Sequence, residues 1–157
     1  MSPKGVKPVA TNRRARHDYE ILDTFEAGMA LVGTEVKSLR DGQIVLKDAH
    51  ARVEDGEAWL IGVHVAPYEL ADGFSGHDPE RRRKLLLHRW EIVELGERSA
   101  REGLTIVPLS VYFKDGRAKV ELGLARGRKT YDKRHVIAER DAAREAAKAV
   151  SLKGRVG

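Results

Sequence analysis

The sequence predicts a mainly β domain, a small closed or nearly closed antiparallel barrel interrupted by helices. Three observations predict it. Several short runs alternate apolar and polar residues with period two, an Asp-Gly pair separates two such runs on two occasions, and 41% of the 157 residues are hydrophobic. A chain of this length fits one domain and buries roughly 68–70% of its unfolded surface. Zero cysteines exclude disulfides, Cys-ligated zinc, iron–sulfur clusters and thiol catalysis. The opening MSPKGVKPVA has no signal-peptide apolar run, and no stretch of 18 apolar residues could span a membrane. A cytoplasmic protein without membrane association is the expectation.

The elements follow in chain order. Residues 19–24 and 29–32 each read as a strand. Thr34 is placed to cap a short helix in which Val36 and Leu39 share a face, Arg40 favours the last turn and Gly42 supplies the stop. Alternation from Ala49 to Glu54 gives a strand, Asp55 and Gly56 a type I′ turn, and Trp59, Ile61, Val63 and Val65 one face of the returning run. A loop covers 68–80, with Gly73, Gly76 and Pro79, although Asp78-Pro79-Glu80 also has the form of a helix start. Lys84 to Leu87 suits a short buried strand or a helix equally. A helix is expected at 88–95, with Ile92 and Leu95 inward and Gly96 near its end. The second hairpin has Val107, Leu109, Val111 and Phe113 on one face, turns at Asp115-Gly116, and returns with Ala118, Val120, Leu122 and Leu124 together. Pro108 lacks a ladder donor and belongs at an edge or a bulge.

Charge divides the chain into three: residues 1–16 carry +5, and residues 126–157 carry +6, from ten Lys/Arg and four Asp/Glu. The middle, 17–125, holds 14 basic and 20 acidic residues, for −6. An acidic centre with basic ends suggests a polyanionic partner. The expected organisation is a basic N-terminal segment (1–16), a barrel domain (17–131) and a basic tail (132–157). Past Val136 the tail has only Ile137 and Val150 as large apolar residues before Leu152, so alone it is expected to be disordered or partly helical.

Enzymatic signatures are missing from the sequence. Six histidines show no i,i+4 pair and no short cluster, so no metal is expected. Gly123 to Thr130 has three residues between its glycines and Arg128 before Lys129, which breaks the phosphate-loop spacing. No serine stands in a nucleophile elbow. The positive signals suit RNA. Asn12, Arg13, Arg14, Arg16 and His17 pack an amide, three guanidiniums and an imidazole into six residues, groups that bind phosphate and stack on bases. Arg81 to Lys84 is a second basic run, and Gly127 to Arg134, with Arg128, Lys129 and Tyr131, is a third.

Taken together, Asn12 to Tyr19, Phe25 to Gly28, Gly33 to Arg40, Arg83 to Leu87, Lys119 to Ala125, Gly127 to Lys129 and Tyr131 to Arg134 appear in the order that marks the SsrA-binding protein (small protein B) family of bacterial trans-translation. The chain resembles that family over nearly its whole length. Arg128 stands where the family usually has lysine, and the last residues match only in being basic and helix-prone. The resemblance implies an OB-like antiparallel barrel with inserted helices, no cofactor and no enzymatic activity. It implies binding to the tRNA-like domain of transfer-messenger RNA and delivery, with elongation factor Tu, to the decoding region of stalled 70S ribosomes. Asn12, Glu26 and Leu86 become candidate RNA-recognition positions, supported by Arg13, Arg14, Arg16, His17, Arg83, Lys84, Arg128 and Lys129. Asp132, Lys133, Arg134, Ile137, Arg140, Arg144 and Lys148 become the tail that probes the empty mRNA channel. Two side chains have open alternatives: Glu26 either accepts from an RNA amino or hydroxyl donor or braces nearby arginines, and Leu86 is either core or an apolar wall for an unstacked base. The competing function is a general RNA-binding or ribosomal structural protein.

Overall fold

The computed structural model describes residues 5–67 and 77–127. Of the chain's two units, 1–126 and 127–157, the second is represented only by Gly127. Twelve elements occur among the described residues: β1 (Val6–Thr11), α1 (Arg13–Asp18), β2 (Tyr19–Met29), α2 (Gly33–Arg40), β3 (Ile44–Val45), β4 (His50–Glu54), β5 (Glu57–Ile61), β6 (His64–Val65), β7 (Arg83–Leu86), α3 (Arg89–Glu102), β8 (Thr105–Lys114) and β9 (Arg117–Gly127). Seven strands order as β1-β8-β4-β5-β7-β2-β9, and β9 pairs back onto β8, which closes the predicted barrel. One edge of β8 is shared. Its N-terminal half meets β4 at Ile106–Ala51, and its C-terminal half carries β1 from Ser110 to Lys114.

Both hairpins form on their Asp-Gly turns, with φ of 51° and 77° at Asp55 and Gly56 and 52° and 80° at Asp115 and Gly116. Each aspartate therefore shares the left-handed region with its glycine, as a type I′ turn requires. The inward faces differ from the expectation. In β5 the buried pair is Ala58 and Leu60, not Trp59 and Ile61, because the chain turns at Gly62 (φ 82°) and reverses parity before Val63 and Val65 go inside. Pro108 does sit at a bulge, where pairing with β9 slips between Pro108 and Ser110. That slip divides the predicted face of β8. Val111 and Phe113 join the main core, whereas Val107 and Leu109 join Ala15 of α1 and Ala125 in a second cluster outside it.

Other elements are also corrected. The two early strands are parts of one 11-residue strand that ends at Met29, so 30–32 is not strand. Val32 precedes α2 as its cap, and its N–H donates to Glu35 Oε1 at 2.9 Å; Thr34 lies inside the helix, with its hydroxyl on His77 Nδ1 at 2.8 Å. Asp78-Pro79-Glu80 makes a turn rather than a helix, and Arg83–Leu86 is a strand. Helix α3 passes through Gly96 and stops at Gly103 in the left-handed region. Gly96 lies against β4, where a Cβ would meet Val53 at 3.3 Å. Element β1 and the first four residues of α1 lie in the stretch, 1–16, read from its charge as a basic segment. The part of the expected loop at 68–76 lies outside the described residues.

Beneath α2 is a buried ionic centre. Glu35 and Arg83 have no accessible surface; Arg83 Nε and Nη2 donate to Glu35 Oε2 at 2.8 and 2.6 Å, and Arg81 Nη2 donates to Oε1 at 2.6 Å. Arg83 Nη1 also donates to the carbonyls of Val63 (2.9 Å) and Pro79 (3.2 Å). Burial alone would push the Glu35 carboxyl up, but donors from Arg81, the Val32 N–H and Arg83 outweigh it and hold the pKa below its ordinary 4.5.

Glu35→Ala leaves Arg83 buried without its counter-charge and should cost about 3–5 kcal/mol, seen as a lower denaturation midpoint. Because the folded pKa is depressed, the stability from ionised Glu35 is present above pH 4.5 and lost as pH falls through the folded value. Wild-type protein should therefore lose more stability on acidification below pH 4.5 than Glu35→Gln, which equilibrium unfolding at several pH values measures.

Candidate nucleic-acid interface

Backbone alternation decides which face each side chain takes. With Arg83 and Leu85 buried, β7 turns Lys84 and Leu86 outward. Register Gly28–Leu86 places Leu86 beside β2, and a Cβ at Gly28 would meet Leu86 Cβ at 3.3 Å. Gly28 thus leaves room for Leu86 to lie across the neighbouring strand. Leu86 is 54% exposed, so it is not a core residue.

Glu26 shares this outer surface. The Tyr112 hydroxyl donates to Glu26 Oε2, and Lys114 Nζ lies 3.4 Å from Oε1. Among the described residues Glu26 braces no arginine; its neighbours are a phenol and lysines. The Tyr112 hydrogen bond, with the charges of Lys114 and Lys119, overcomes partial burial and holds the Glu26 carboxyl below its ordinary range. Burial, reinforced by the Glu26 carboxylate, pushes the Tyr112 hydroxyl up, so it stays a donor at neutral pH. Tyr112 and Lys119 face each other across the second hairpin. Glu26, Lys84, Leu86, His88 and Lys119 line one groove of about 610 Å³, and Leu86, Arg117 and Lys119 also border an adjoining cavity of about 420 Å³.

A second cluster forms around α1. Asn12 is buried; its Oδ1 accepts from Ala15 N–H at 3.2 Å, and its Nδ2 donates to the carbonyls of Pro108 (3.0 Å) and Leu46 (3.3 Å). It therefore caps α1 and ties it to β8 and to the segment before β4. Arg13 and Arg14 line a small cavity with Lys47 and the exposed Val45. Arg14 Nε faces Asp18 at 3.4 Å, Arg16 Nη2 faces Glu121 at 3.5 Å, and His17 Nδ1 contacts Asp18 at 3.0 Å.

The expected basic run at Arg81–Lys84 is not an open cationic patch. Arg81 and Arg83 hold Glu35. Arg82 stacks on Trp59 at 4.4 Å and pairs with Glu54 at 3.2 Å, and Lys84 pairs with Glu57 at 3.0 Å. Arg83 is corrected from a contact residue to a structural one, since a guanidinium without accessible surface cannot meet RNA in this conformation. Arg128, Lys129 and the tail positions Asp132, Lys133, Arg134, Ile137, Arg140, Arg144 and Lys148 lie outside the described residues. Sequence reading missed Tyr112, Lys114, Lys119 and Lys47. The first three were accessible through the Asp115-Gly116 turn, which fixes Lys114 opposite Arg117 and Tyr112 opposite Lys119. Among the described residues, no three His, Asp or Glu side chains gather as metal ligands, and no helix is long and apolar enough to cross a membrane.

Fold and surface together define a small β-barrel that turns cations, a carboxylate and an exposed leucine outward on adjacent strands. The comparisons give that class a family. The SmpB protein family matches residues 9–152. An SsrA-binding protein of Parafrankia sp. (strain EAN1pec) is 59% identical over 97% of both chains, and one of Frankia casuarinae is 56% identical over 96% of this chain and 94% of its own. A solved structure described as "tmRNA-SmpB: a journey to the center of the bacterial ribosome" contains a chain 56% identical to this one. It aligns with a TM-score of 0.65 over 78% of this chain and 86% of that chain. The chain belongs to the SmpB family of SsrA-binding proteins.

Asn12→Ala should release the cap of α1 and orphan two carbonyl acceptors, costing about 1–3 kcal/mol. Hydrogen exchange should show lost protection concentrated in α1, while the 117–124 amides stay protected. Uniform loss across the barrel would contradict a positioning role.

Proposed function

We propose that this chain is a cytoplasmic RNA-binding adaptor, not an enzyme. It binds the tRNA-like domain of transfer-messenger RNA and, with elongation factor Tu, delivers it to stalled ribosomes for tagging of incomplete peptides. Membership of the SmpB family over residues 9–152 carries the reading. The groove supports it, because Glu26 from β2 comes together there with Lys84 and Leu86 from β7. The N-terminal cations Arg13, Arg14, Arg16 and His17 hold the RNA backbone, and Asn12 acts through α1 rather than by contact. Arg128 and Lys129 extend the basic surface. The tail from Asp132, with Lys133, Arg134, Ile137, Arg140, Arg144 and Lys148, enters the empty mRNA channel, where its net charge of +3, seven Lys/Arg against four Asp/Glu, meets ribosomal phosphate.

Binding to the tRNA-like domain should be tight, with log K falling against log salt by about 0.7–0.9 per phosphate contact. Equal affinity for an unrelated hairpin RNA would count against the reading. Truncation before Asp132 should spare RNA binding but abolish tagging in a reconstituted reaction on a message without a stop codon. Tagging by the truncated protein would remove the tail from the mechanism, and stable retention on ribosomes without transfer-messenger RNA would favour a ribosomal structural protein.

A further inference from the structure

Helix α3 packs on the barrel through one face and carries an apolar patch on the other. Leu95 is fully buried and Gly96 lies against Val53, which fixes the inward side. Trp90, Val93, Glu94, Glu97 and Arg101 follow at i, i+3, i+4, i+7 and i+11, so they form one stripe on the outward side. Trp90 is 63% exposed and Val93 48%, and they border a groove of about 650 Å³ along the helix. The other tryptophan is covered: the Arg82 guanidinium lies over Trp59 at 4.4 Å, whereas no cation of the described residues stacks on Trp90. The carboxylates of the stripe are open as well. Glu94 and Glu97 stand four residues before Arg98 and Arg101, the spacing of helical ion pairs. Both arginines turn instead to Glu102 at 3.6 Å, and Arg98 also holds Asp23 at 3.0 Å. Among the described residues, neither Glu94 nor Glu97 makes an ion pair or a side-chain hydrogen bond.

We infer that the outward face of α3 docks a cationic protein segment, with a bulky apolar side chain seated on Trp90 and Val93 and Lys or Arg side chains on Glu94 and Glu97. The inference goes beyond the adaptor reading, which gives α3 no task, and takes from it only the setting of its test. A tryptophan beside an exposed aliphatic residue is the kind of anchor that carries binding energy at protein interfaces. Glu94 and Glu97 lie one and two turns beyond Trp90, about 4.5 Å apart along the helix axis. Arg89 bounds the groove at the opposite end, so the cations of the segment run toward the C-terminal half of α3. The same two carboxylates select the class of partner. An RNA strand that stacks a base on Trp90 and follows the groove brings its phosphates against Glu94 and Glu97. A second copy laid antiparallel on the stripe sets Glu94 against Glu97 across the two-fold axis, like charge on like charge. A cationic protein segment satisfies the anchor and both carboxylates together.

Photocrosslinking on stalled ribosomes tests this. Trp90 is replaced in the full chain by p-benzoylphenylalanine, an aromatic for an aromatic, and the protein is added with transfer-messenger RNA and elongation factor Tu to ribosomes stalled on a message without a stop codon. Irradiation should yield an adduct with another protein, attached at a segment that has a bulky apolar residue and Lys or Arg within four positions of it. Adding Glu94→Lys and Glu97→Lys should lower the adduct yield about tenfold, while affinity for the tRNA-like domain changes less than about twofold; matched melting curves establish that the variant folds. An adduct with RNA, with a second copy or within one chain overturns the α3 inference, as does no adduct or a yield unchanged by the charge reversal. Tagging by the wild-type chain is read in parallel on the same ribosomes. Its absence overturns the adaptor reading, whereas the adduct and its charge dependence decide the α3 inference by themselves.

Discussion

The outer surface of the barrel depends on the buried contact between Glu35 and Arg83. A guanidinium without accessible surface must find a counter-charge and acceptors, and here it finds a carboxylate from α2 and the carbonyls of Val63 and Pro79. No neighbouring residue can take its place. Slipping β7 by one position would expose Arg83 and Leu85 and drive Lys84 and Leu86 inside, where neither the charge nor the packing is matched. The ion pair is thus better understood as a register device than as a source of net stability, since desolvating two charges offsets much of their attraction. It also ties the segment before β7 to α2, with Arg81 holding the second oxygen of Glu35.

Register propagates outward from there. Pairing of β7 with β2 sets Leu86 over Gly28, and Glu26 lies two residues earlier on the same face of β2. The Asp115-Gly116 turn independently sets Lys119 opposite Tyr112. Tyr112 then joins the two arrangements through Glu26. The groove is therefore made by strand pairing, with its side chains placed by register rather than by loops.

Both hairpins were legible in the sequence because a type I′ turn has a local signature, and so was the bulge at Pro108, which follows from a missing N–H. Their consequences for facing were not. A single slip at Pro108 and a single positive φ at Gly62 each invert parity, and period-two counting runs straight through both. Gly96 looked like a helix stop, yet it serves close packing of α3 on Val53. The charge run at Arg81–Lys84 was misread for a related reason: sequence counts charges, while partners on α2, β4 and β5 decide which remain available. Asn12 was found by resemblance, but its hydrogen bonds reach Leu46, 34 residues on, and Pro108, 96 residues on, and only the fold displays them.

The −6 of the middle region takes on a different meaning once these pairs are drawn. Glu35, Glu54, Glu57, Glu20, Glu121 and Asp23 each face an arginine or lysine, so much of the acid neutralises the barrel's own cations rather than opposing RNA. Among the described residues, cations without a close ion pair include Arg13 and Lys47 beside α1 and Arg117 and Lys119 on the second hairpin, while the Glu26 carboxylate lies between strands. Internal pairing of this kind gives the barrel a modest sequence-independent attraction, because that term scales with the phosphates neutralised. On the adaptor reading proposed above, such a surface gains its selectivity from groups a wrong RNA cannot satisfy, and the ionised Glu26 carboxylate is one of them. A backbone phosphate brought against Glu26 is repelled, and a base lacking the matching donors leaves a desolvated charge unpaired.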